Sequence, residues 1–592
     1  DPRFPGHDRR YADLSKERRN VAVATMGDEY FDDLMRAVAH YALGVSDFRE
    51  GQTRAVARVL TGGDSCVLLP TGHGKTLIYQ LAMLLRPGIT LVVAPLVSLI
   101  NDQERRFLDL GIDRTLAIHG GRTGTGGEAD SVLKATRQGD AIVLLISPER
   151  LQIESFRKAL AQALRSRLVG LAVVDEAHCV SEWGHDFRTS YLRLGRNLRR
   201  WCAGPGGPPP LLGLTGTAST GVLRDVLREL DIDPTDPEAV QRPRSFDRKN
   251  LSYSILRADN DDEFEVLRTA LTSVIPDGLK VELADLAGTR GQCPIGGLVF
   301  VPWTSSTYGV VEVHDQIRTW FDELGLDATI DVYSGGAPTG RSASTWDDEK
   351  AETARRFQAD ELAILVTTKA FGMGIDKPNI RWTAHLGMPS SIEAFAQEAG
   401  RAGRDKSLQA HCVLVSGQQD REGVARALDP LTPSVKRRAL SSGWRHDVGR
   451  QLFFLNNSFP GADPETATID ARTRKMLTST WVVGEIPQAE AMWRRLIDAG
   501  AKPGAVITVP QLPDGAQGLH RTHRDQLKGL VDKALFRLSM IGVVEDVTIE
   551  HWAERVTVHV ARYDRQSIDN ALLTFADRMR PGRYRDHVRW VR

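Results

Sequence analysis

Ten short apolar runs, separated by stretches with helical periodicity, constrain this chain more than any other feature. In the first half they are Cys66–Leu69, Thr90–Ala94, Ile142–Ser147, Leu171–Val174 and Leu211–Leu214. In the second half they are Leu298–Val301, Ala328–Val332, Leu362–Val366, Trp382–Leu386 and Cys412–Val415. Runs this short, and apolar at nearly every position, suit parallel strands buried on both faces. Parallel pairing needs long crossovers, and the helical stretches supply them. The expected fold class is therefore α/β: two parallel-sheet domains in tandem, with a ligand cleft between them. A chain of 592 residues has room for these and one or two further units.

The boundaries expected from pattern and composition are a helical N-terminal segment over 1–45, a first α/β domain over 46–245 and a second over 246–420. A helical accessory region follows over 421–515, and a small module with a basic tail closes the chain over 516–592. Gly204-Pro205-Gly206-Gly207-Pro208-Pro209-Pro210 reads as a stiff surface loop, and Ser334 to Asp348 as a mobile one too poor in apolar residues to build an element. His520 to Leu538 has helical periodicity, followed by Ile541–Asp546 and the alternating strand Arg555–Val560. Helix, turn and hairpin is the order of a winged helix, a nucleic-acid module; the same order also serves as scaffolding. Lys436-Arg437-Arg438 with Trp444-Arg445-His446 reads as a solvated helical face or a basic patch. The tail from Arg578 to Arg592, with Tyr584 and Trp590, suits phosphate and base contacts or docking onto another subunit.

The first chemical signal follows the first apolar run. Pro70-Thr71-Gly72-His73-Gly74-Lys75-Thr76 leads from a strand into an apolar helix, Leu77 to Leu85. Glycines 72 and 74 let backbone N–H groups approach phosphate oxygens, aided by the helix N-terminus. Lys75 would reach the β- and γ-phosphates of ATP, and the Thr76 hydroxyl would ligate Mg2+. Leu69 stands where the strict pattern has its first glycine. The second signal is Asp175-Glu176, at the end of the run Leu171–Val174: Asp175 would hold Mg2+ through water and Glu176 would polarise the attacking water. Directly after it comes the aromatic and basic stretch Ser181-Glu182-Trp183-Gly184-His185-Asp186-Phe187-Arg188, whose rings and guanidinium suit nucleic-acid bases and phosphates.

Taken together, these motifs resemble a RecQ-type, DEAH-like helicase of superfamily 2 over roughly residues 45 to 420, with two RecA-like domains. Phe48-Arg49-Glu50-Gly51-Gln52 resembles the Q-motif, which implies adenine contacts for Arg49 and Gln52. Ala94-Pro95-Leu96-Val97-Ser98-Leu99-Ile100-Asn101-Asp102-Gln103 resembles motif Ia, Ser147-Pro148-Glu149-Arg150-Leu151 motif Ic, and Leu214-Thr215-Gly216-Thr217-Ala218 motif III. The stretch Ser181 to Arg188 is similar to the aromatic-rich loop of RecQ enzymes. By resemblance Trp183, His185, Phe187, Arg188, Pro95 and Ser98 contact nucleic acid, and His178 joins the catalytic set. Ala370-Phe371-Gly372-Met373-Gly374-Ile375-Asp376 resembles motif V, placing Gly374 and Asp376 at the nucleotide. Gln397-Glu398-Ala399-Gly400-Arg401-Ala402-Gly403-Arg404 resembles motif VI. There Arg404 is implied as the arginine finger, Arg401 as a second phosphate contact and Gln397 as a coupling residue. A planar guanidinium suits charge developing on the γ-phosphate. The junction Ser245-Phe246-Asp247-Arg248-Lys249-Asn250 is again RecQ-like. The chain departs from the family at Val45, where an aromatic ring is common, and at Glu182, where glutamine is usual.

The implied function is ATP-dependent, Mg2+-requiring DNA unwinding with 3′-to-5′ movement on single-stranded DNA, acting on tailed duplexes. The alternative is a nucleic-acid-stimulated ATPase that serves as a subunit of a multi-protein complex, such as an anti-phage defence or DNA-modification system. DNA against RNA stays open at this level. Lys plus Arg and Asp plus Glu both total 76, so any grip on nucleic acid must come from local patches. The five cysteines, at 66, 179, 202, 293 and 412, form no Cys-x-x-Cys, which argues for a reducing compartment and against a structural zinc. No long apolar run suggests a membrane span, so a cytoplasmic location is expected.

Overall fold

The structure, a computed structural model, describes residues 28–70, 73–119, 127–165, 168–180, 189–191, 193–204, 206–216, 220–243, 247–259, 262–288, 295–372, 377–389, 392–417, 447, 485–512, 521–550 and 554–579. Seven strands form the first sheet: β1 (Ser65–Leu68), β2 (Ile89–Val93), β3 (Thr115–Ile118), β4 (Val143–Ile146), β5 (Val169–Val174), β6 (Leu211–Thr215) and β7 (Val240–Gln241). They lie in the order β3-β4-β2-β5-β6-β1-β7, all parallel. Successive side chains of a strand point to opposite faces, and here both faces are covered. Cys66, Leu68, Leu91, Val93, Ala172 and Val174 enter one core with the helices Glu154–Leu164 and Leu194–Trp201. Val67, Leu69, Val92, Val143, Leu171 and Val173 enter the other, with the helices Asp28–Leu43, Gln52–Leu60, Lys75–Leu85 and Val97–Asp109. That two-sided burial explains why the runs read as continuously apolar.

The second sheet has the same logic. Its strands are β8 (Leu251–Ala258), β9 (Gly296–Phe300), β10 (Ile330–Tyr333), β11 (Ile364–Thr367), β12 (Ile380–Leu386) and β13 (Ala410–Gly417). Their order is β10-β11-β9-β12-β13-β8, again all parallel. All ten runs from the sequence fall on strands. Three strands, β3, β7 and β8, lay outside those runs, and all three are edge strands; β7 is only two residues long, and β8 carries Ser252, Tyr253 and Ile255 exposed. The stretch from Ser334 differs from expectation. Trp346 starts the helix Trp346–Gln358, is buried, and its indole N–H donates to the Ser334 carbonyl at 3.0 Å. One core tryptophan thus ties both ends of a polar segment.

The C-terminal part also corrects the sequence reading. The helix Glu485–Asp498 and strand β14 (Val506–Pro510) fall where only helix was expected. Ile507 and Val509 point into a core shared with Met492, Leu496, Val531, Leu535, Val556 and Val558, so this module begins near 485, well before 516. The signal was a period of two in Val-Ile-Thr-Val-Pro, with alternate residues buried. The helix Arg521–Met540, strands β15 (Val544–Glu550) and β16 (Arg555–Val560) and the helix Arg565–Met579 complete it. Its strands pair antiparallel in the order β14-β16-β15. Lys436, Arg437, Arg438, Trp444, Arg445, His446 and the tail beyond 579 lie outside the described residues.

This module sits on the first domain. Arg157 is 2% exposed and donates to Asp546 at 2.7 Å and to the Val547 carbonyl at 3.2 Å. Arg193 donates to the Val544 carbonyl at 2.9 Å and to Ser539, and Arg196 pairs with Glu545 at 3.2 Å. The helix Arg521–Met540 also lies against the turn Thr189–Tyr191. Among the described residues, no helix is long and apolar enough to cross a membrane.

Candidate active site

The C-terminal ends of β1, β6 and β5 lie side by side in the first sheet, where an open α/β sheet binds ligands. Each end carries one part of the predicted chemistry. After β1, Gly74 adopts φ +71° as the N-cap of the helix Lys75–Leu85, a conformation that costs glycine little. A Cβ there would stand 2.7 Å from the Gln52 amide nitrogen. Gln52 is buried and its amide is fully engaged. Its N–H groups donate to the carbonyls of His73 at 2.8 Å and Gly74 at 3.0 Å, and its oxygen accepts from the Arg49 backbone N–H at 2.8 Å. Gln52 therefore fixes the phosphate-loop backbone, a task the sequence reading did not include. Thr71 and Gly72 lie outside the described residues.

After β5, Glu176 takes a left-handed backbone, φ +46°, which turns the chain sharply out of the strand. Its carboxylate then meets Lys75 at 3.1 Å and His178 at 3.3 Å. Burial opposes the charged form of Glu176, but Lys75 and His178 outweigh it and hold the group well below the usual carboxylate range. Burial likewise works against the imidazolium of His178; Cys179 and Glu176 raise it to about 10. His178 also reaches the Thr215 hydroxyl, at the end of β6, at 3.1 Å. These contacts link motif III to the acidic pair.

Asp175 has the opposite character. Burial and then the adjacent Glu176 push its pKa up to about 6, with Lys75 and the Gln103 amide pulling the other way. Gln103 donates to one carboxylate oxygen at 2.8 Å, and the Glu176 backbone N–H to the other at 3.0 Å. The Tyr191 hydroxyl donates to the Asp175 carbonyl at 3.2 Å. A buried carboxylate short of positive charge is a fitting partner for Mg2+. That ion asks for one or two protein oxygens and keeps waters or phosphates for the rest. Thr76 and Asp175 fit that role. Tyr191 carried no sequence signal, because nothing in its spacing marks it.

The second domain contributes motif VI, between the helix Ile392–Ala399 and β13. Arg401 is buried, while Gln397 and Arg404 are partly exposed. Arg404 and Arg49 both lie within electrostatic reach of Arg248 at the domain junction, as Arg49 and Arg248 do of Lys406. The structure thus gathers cations from the Q-motif, the junction and motif VI, a setting for a polyanion. In motif Ia, Pro95 is buried and Ser98 exposed. Trp183, His185, Phe187, Arg188, Gly374 and Asp376 lie outside the described residues. Among those described, no group of three or more His, Cys, Asp or Glu side chains is placed to hold a metal.

Comparison with known proteins agrees with this arrangement. A family model described as DEAD/DEAH box helicase matches residues 49–226, and one described as helicase conserved C-terminal domain matches residues 299–406. The ATP-dependent DNA helicase RecQ of Pasteurella multocida is 28% identical over 564 residues, covering 92% of this chain and 77% of that protein. The probable ATP-dependent DNA helicase RecS of Bacillus subtilis is 33% identical over 61% of this chain and 63% of its own length. The ATP-dependent DNA helicase RecQ of the same organism is 32% identical, over 65% and 56%. The chain therefore spans between about half and about three quarters of these relatives.

Proposed function

We propose that this chain, matched by the DEAD/DEAH box helicase and helicase C-terminal models and similar to RecQ helicases, is a RecQ-like helicase that couples ATP hydrolysis to 3′-to-5′ movement along single-stranded DNA, unwinding 3′-tailed duplexes. The observation that carries the reading is the meeting of Lys75 and Glu176 at 3.1 Å, from loops 101 residues apart. A phosphate-binding cation and a general base share one point at the ends of β1 and β5, two strands separated in the sheet by β6.

The chain's own groups divide the work. Lys75 exchanges Glu176 for the β- and γ-phosphates, which frees the Glu176 carboxylate for the attacking water. His178, bridging Glu176 and Thr215, reports that change to β6. Magnesium, held beside Thr76 and Asp175, would supply charge neutralisation on the phosphates. Arg401 and Arg404 approach the γ-phosphate from the second domain, and Arg49 and Gln52 stand nearest the base. Trp183, Phe187 and Arg188 grip DNA directly after the acidic pair, so a shift of that loop is felt at Glu176. The buried thiols at Cys66, Cys179, Cys202 and Cys412 suit the reducing cytoplasm.

The test is ATP turnover with single-stranded DNA, duplex DNA and RNA, followed by unwinding of 3′- and 5′-tailed duplexes. Stimulation by single-stranded DNA, its loss in Trp183→Ala, and unwinding of the 3′-tailed substrate alone are expected. DNA-stimulated turnover without unwinding would favour a translocating subunit that needs partner proteins. Full DNA stimulation in a stable Trp183→Ala protein would remove the loop from the mechanism.

A further inference from the structure

Motif VI contains a cluster of carbonyl oxygens that needs a cation to hold it together. The carbonyls of Gly400, Ala402 and Gly403 all turn toward one guanidinium, that of Arg248. Arg248 donates to Gly400 at 2.6 Å, to Ala402 at 2.9 Å and also to Gly403. Two residues on, the Asn250 amide donates to Gly403 at 2.8 Å and to Leu408 at 3.0 Å. Both glycines are shaped by this grip. A Cβ on Gly403, which has φ +60°, would lie 2.7 Å from the Asn250 amide nitrogen, and one on Gly400 would lie 3.5 Å from Arg248 and 2.6 Å from the Ala396 carbonyl. The spacing Gly-Arg-Ala-Gly-Arg is therefore set as much by what grips the loop from behind as by what its arginines face.

Arg248 belongs to neither sheet. It lies between β7, which ends at Gln241, and β8, which starts at Leu251, in the stretch joining the two domains. A planar fork suits these carbonyls because two separate nitrogens share them, Nη1 toward Gly400 and Nη2 toward Ala402 and Gly403, a spread that the single nitrogen of an ammonium does not reproduce.

We propose that Arg248 is a positioning residue for hydrolysis: from the domain junction it fixes the backbone of the loop that carries Arg401 and Arg404. This rests on the reading of those arginines as phosphate contacts. Arg248 need not touch nucleotide to matter, because a displacement of about 1 Å in a catalytic group costs on the order of 10²-fold in rate.

The experiment measures kcat and KM for ATP, with saturating single-stranded DNA, in the full chain carrying Arg248→Ala, Arg248→Lys, Arg404→Ala and Arg248→Ala with Arg404→Ala. Arg248→Ala should lower kcat on the order of 10²-fold with KM for ATP nearly unchanged. Arg248→Lys, which keeps the charge and the packed stem, should fail to restore it and carries the same test if the alanine variant does not fold. The double variant should lose clearly less than the product of the two single losses, because Arg248 acts through the loop that carries Arg404. A crippled Arg404→Ala beside near-normal Arg248 variants would overturn this proposal alone. Losses that multiply in the double variant would do so too. Near-normal turnover in Arg404→Ala would overturn the reading of motif VI, and this proposal with it.

Discussion

Lys75 and Glu176 form a largely buried ion pair, so their variants separate binding from chemistry. Lys75→Ala removes the phosphate contact and leaves a buried carboxylate short of its cation, so both ATP affinity and thermal stability should fall. Glu176→Gln keeps size and hydrogen bonding but cannot polarise water; a labelled-nucleotide binding assay should find ATP bound and turnover absent. Normal turnover in Glu176→Gln would end the assignment of this pair. A second residue, Asp532 in the helix Arg521–Met540, gives a pH signature. Burial raises its pKa from 3.8 to about 6 against the pull of Gln511 and Lys528. A raised carboxyl contributes stability that is complete below 3.8 and lost as the pH rises through about 6. Asp532→Asn should therefore stabilise the C-terminal module at neutral pH, by up to about 3 kcal/mol, and not at a pH near 4. Equal effects at both pH values in urea titrations would contradict this.

Among the elements, β9 and β12 show a fit that sequence could not display. Gly297 pairs with Trp382 across the two strands, and the indole occupies the space where a Cβ on Gly297 would stand. Gly297→Ala should cost about 3 kcal/mol or more through overpacking, read as a lower thermal midpoint of the second domain. A midpoint within a degree or so of the parent, about the shift of a few tenths of a kcal/mol, would mean that Trp382 moves freely. The strands themselves were legible because burial on both faces writes an unbroken apolar run. The edges β7 and β8 were not, since β7 is two residues long and β8 exposes Ser252, Tyr253 and Ile255. The phosphate loop and acidic pair were legible because strand, loop and helix leave a fixed order of residue types. Gln52 gripping Gly74, Tyr191 capping the Asp175 carbonyl and Arg248 behind motif VI were not. Those bonds join side chains to backbone, and any residue type offers the backbone partner.

At the scale of the molecule, the C-terminal module is held to the first domain by arginines from one side and acids from the other. Arg157 is enclosed on all sides, and Asp546 is its ion-pair partner at 2.7 Å. Leaving a buried charge alone costs about 3–5 kcal/mol. Asp546→Ala should loosen the module, seen as faster amide exchange in β15 and in the helix Glu154–Leu164 together. Arg157→Met with Asp546→Leu should recover much of the loss, because no charge is then stranded. Unchanged exchange in Asp546→Ala would show that the apolar contacts suffice. The turn Thr189–Tyr191, against which the module's long helix rests, ends in the tyrosine that caps Asp175, so the same exchange experiment reads the catalytic strand. The pair has a consequence for inheritance. Its two members lie 389 residues apart in the chain, so a recombination that traded only the C-terminal region would separate them and bury an arginine with no answer. Lineages of such proteins should exchange the first domain and its C-terminal module as a set, or change both positions within a short span of descent.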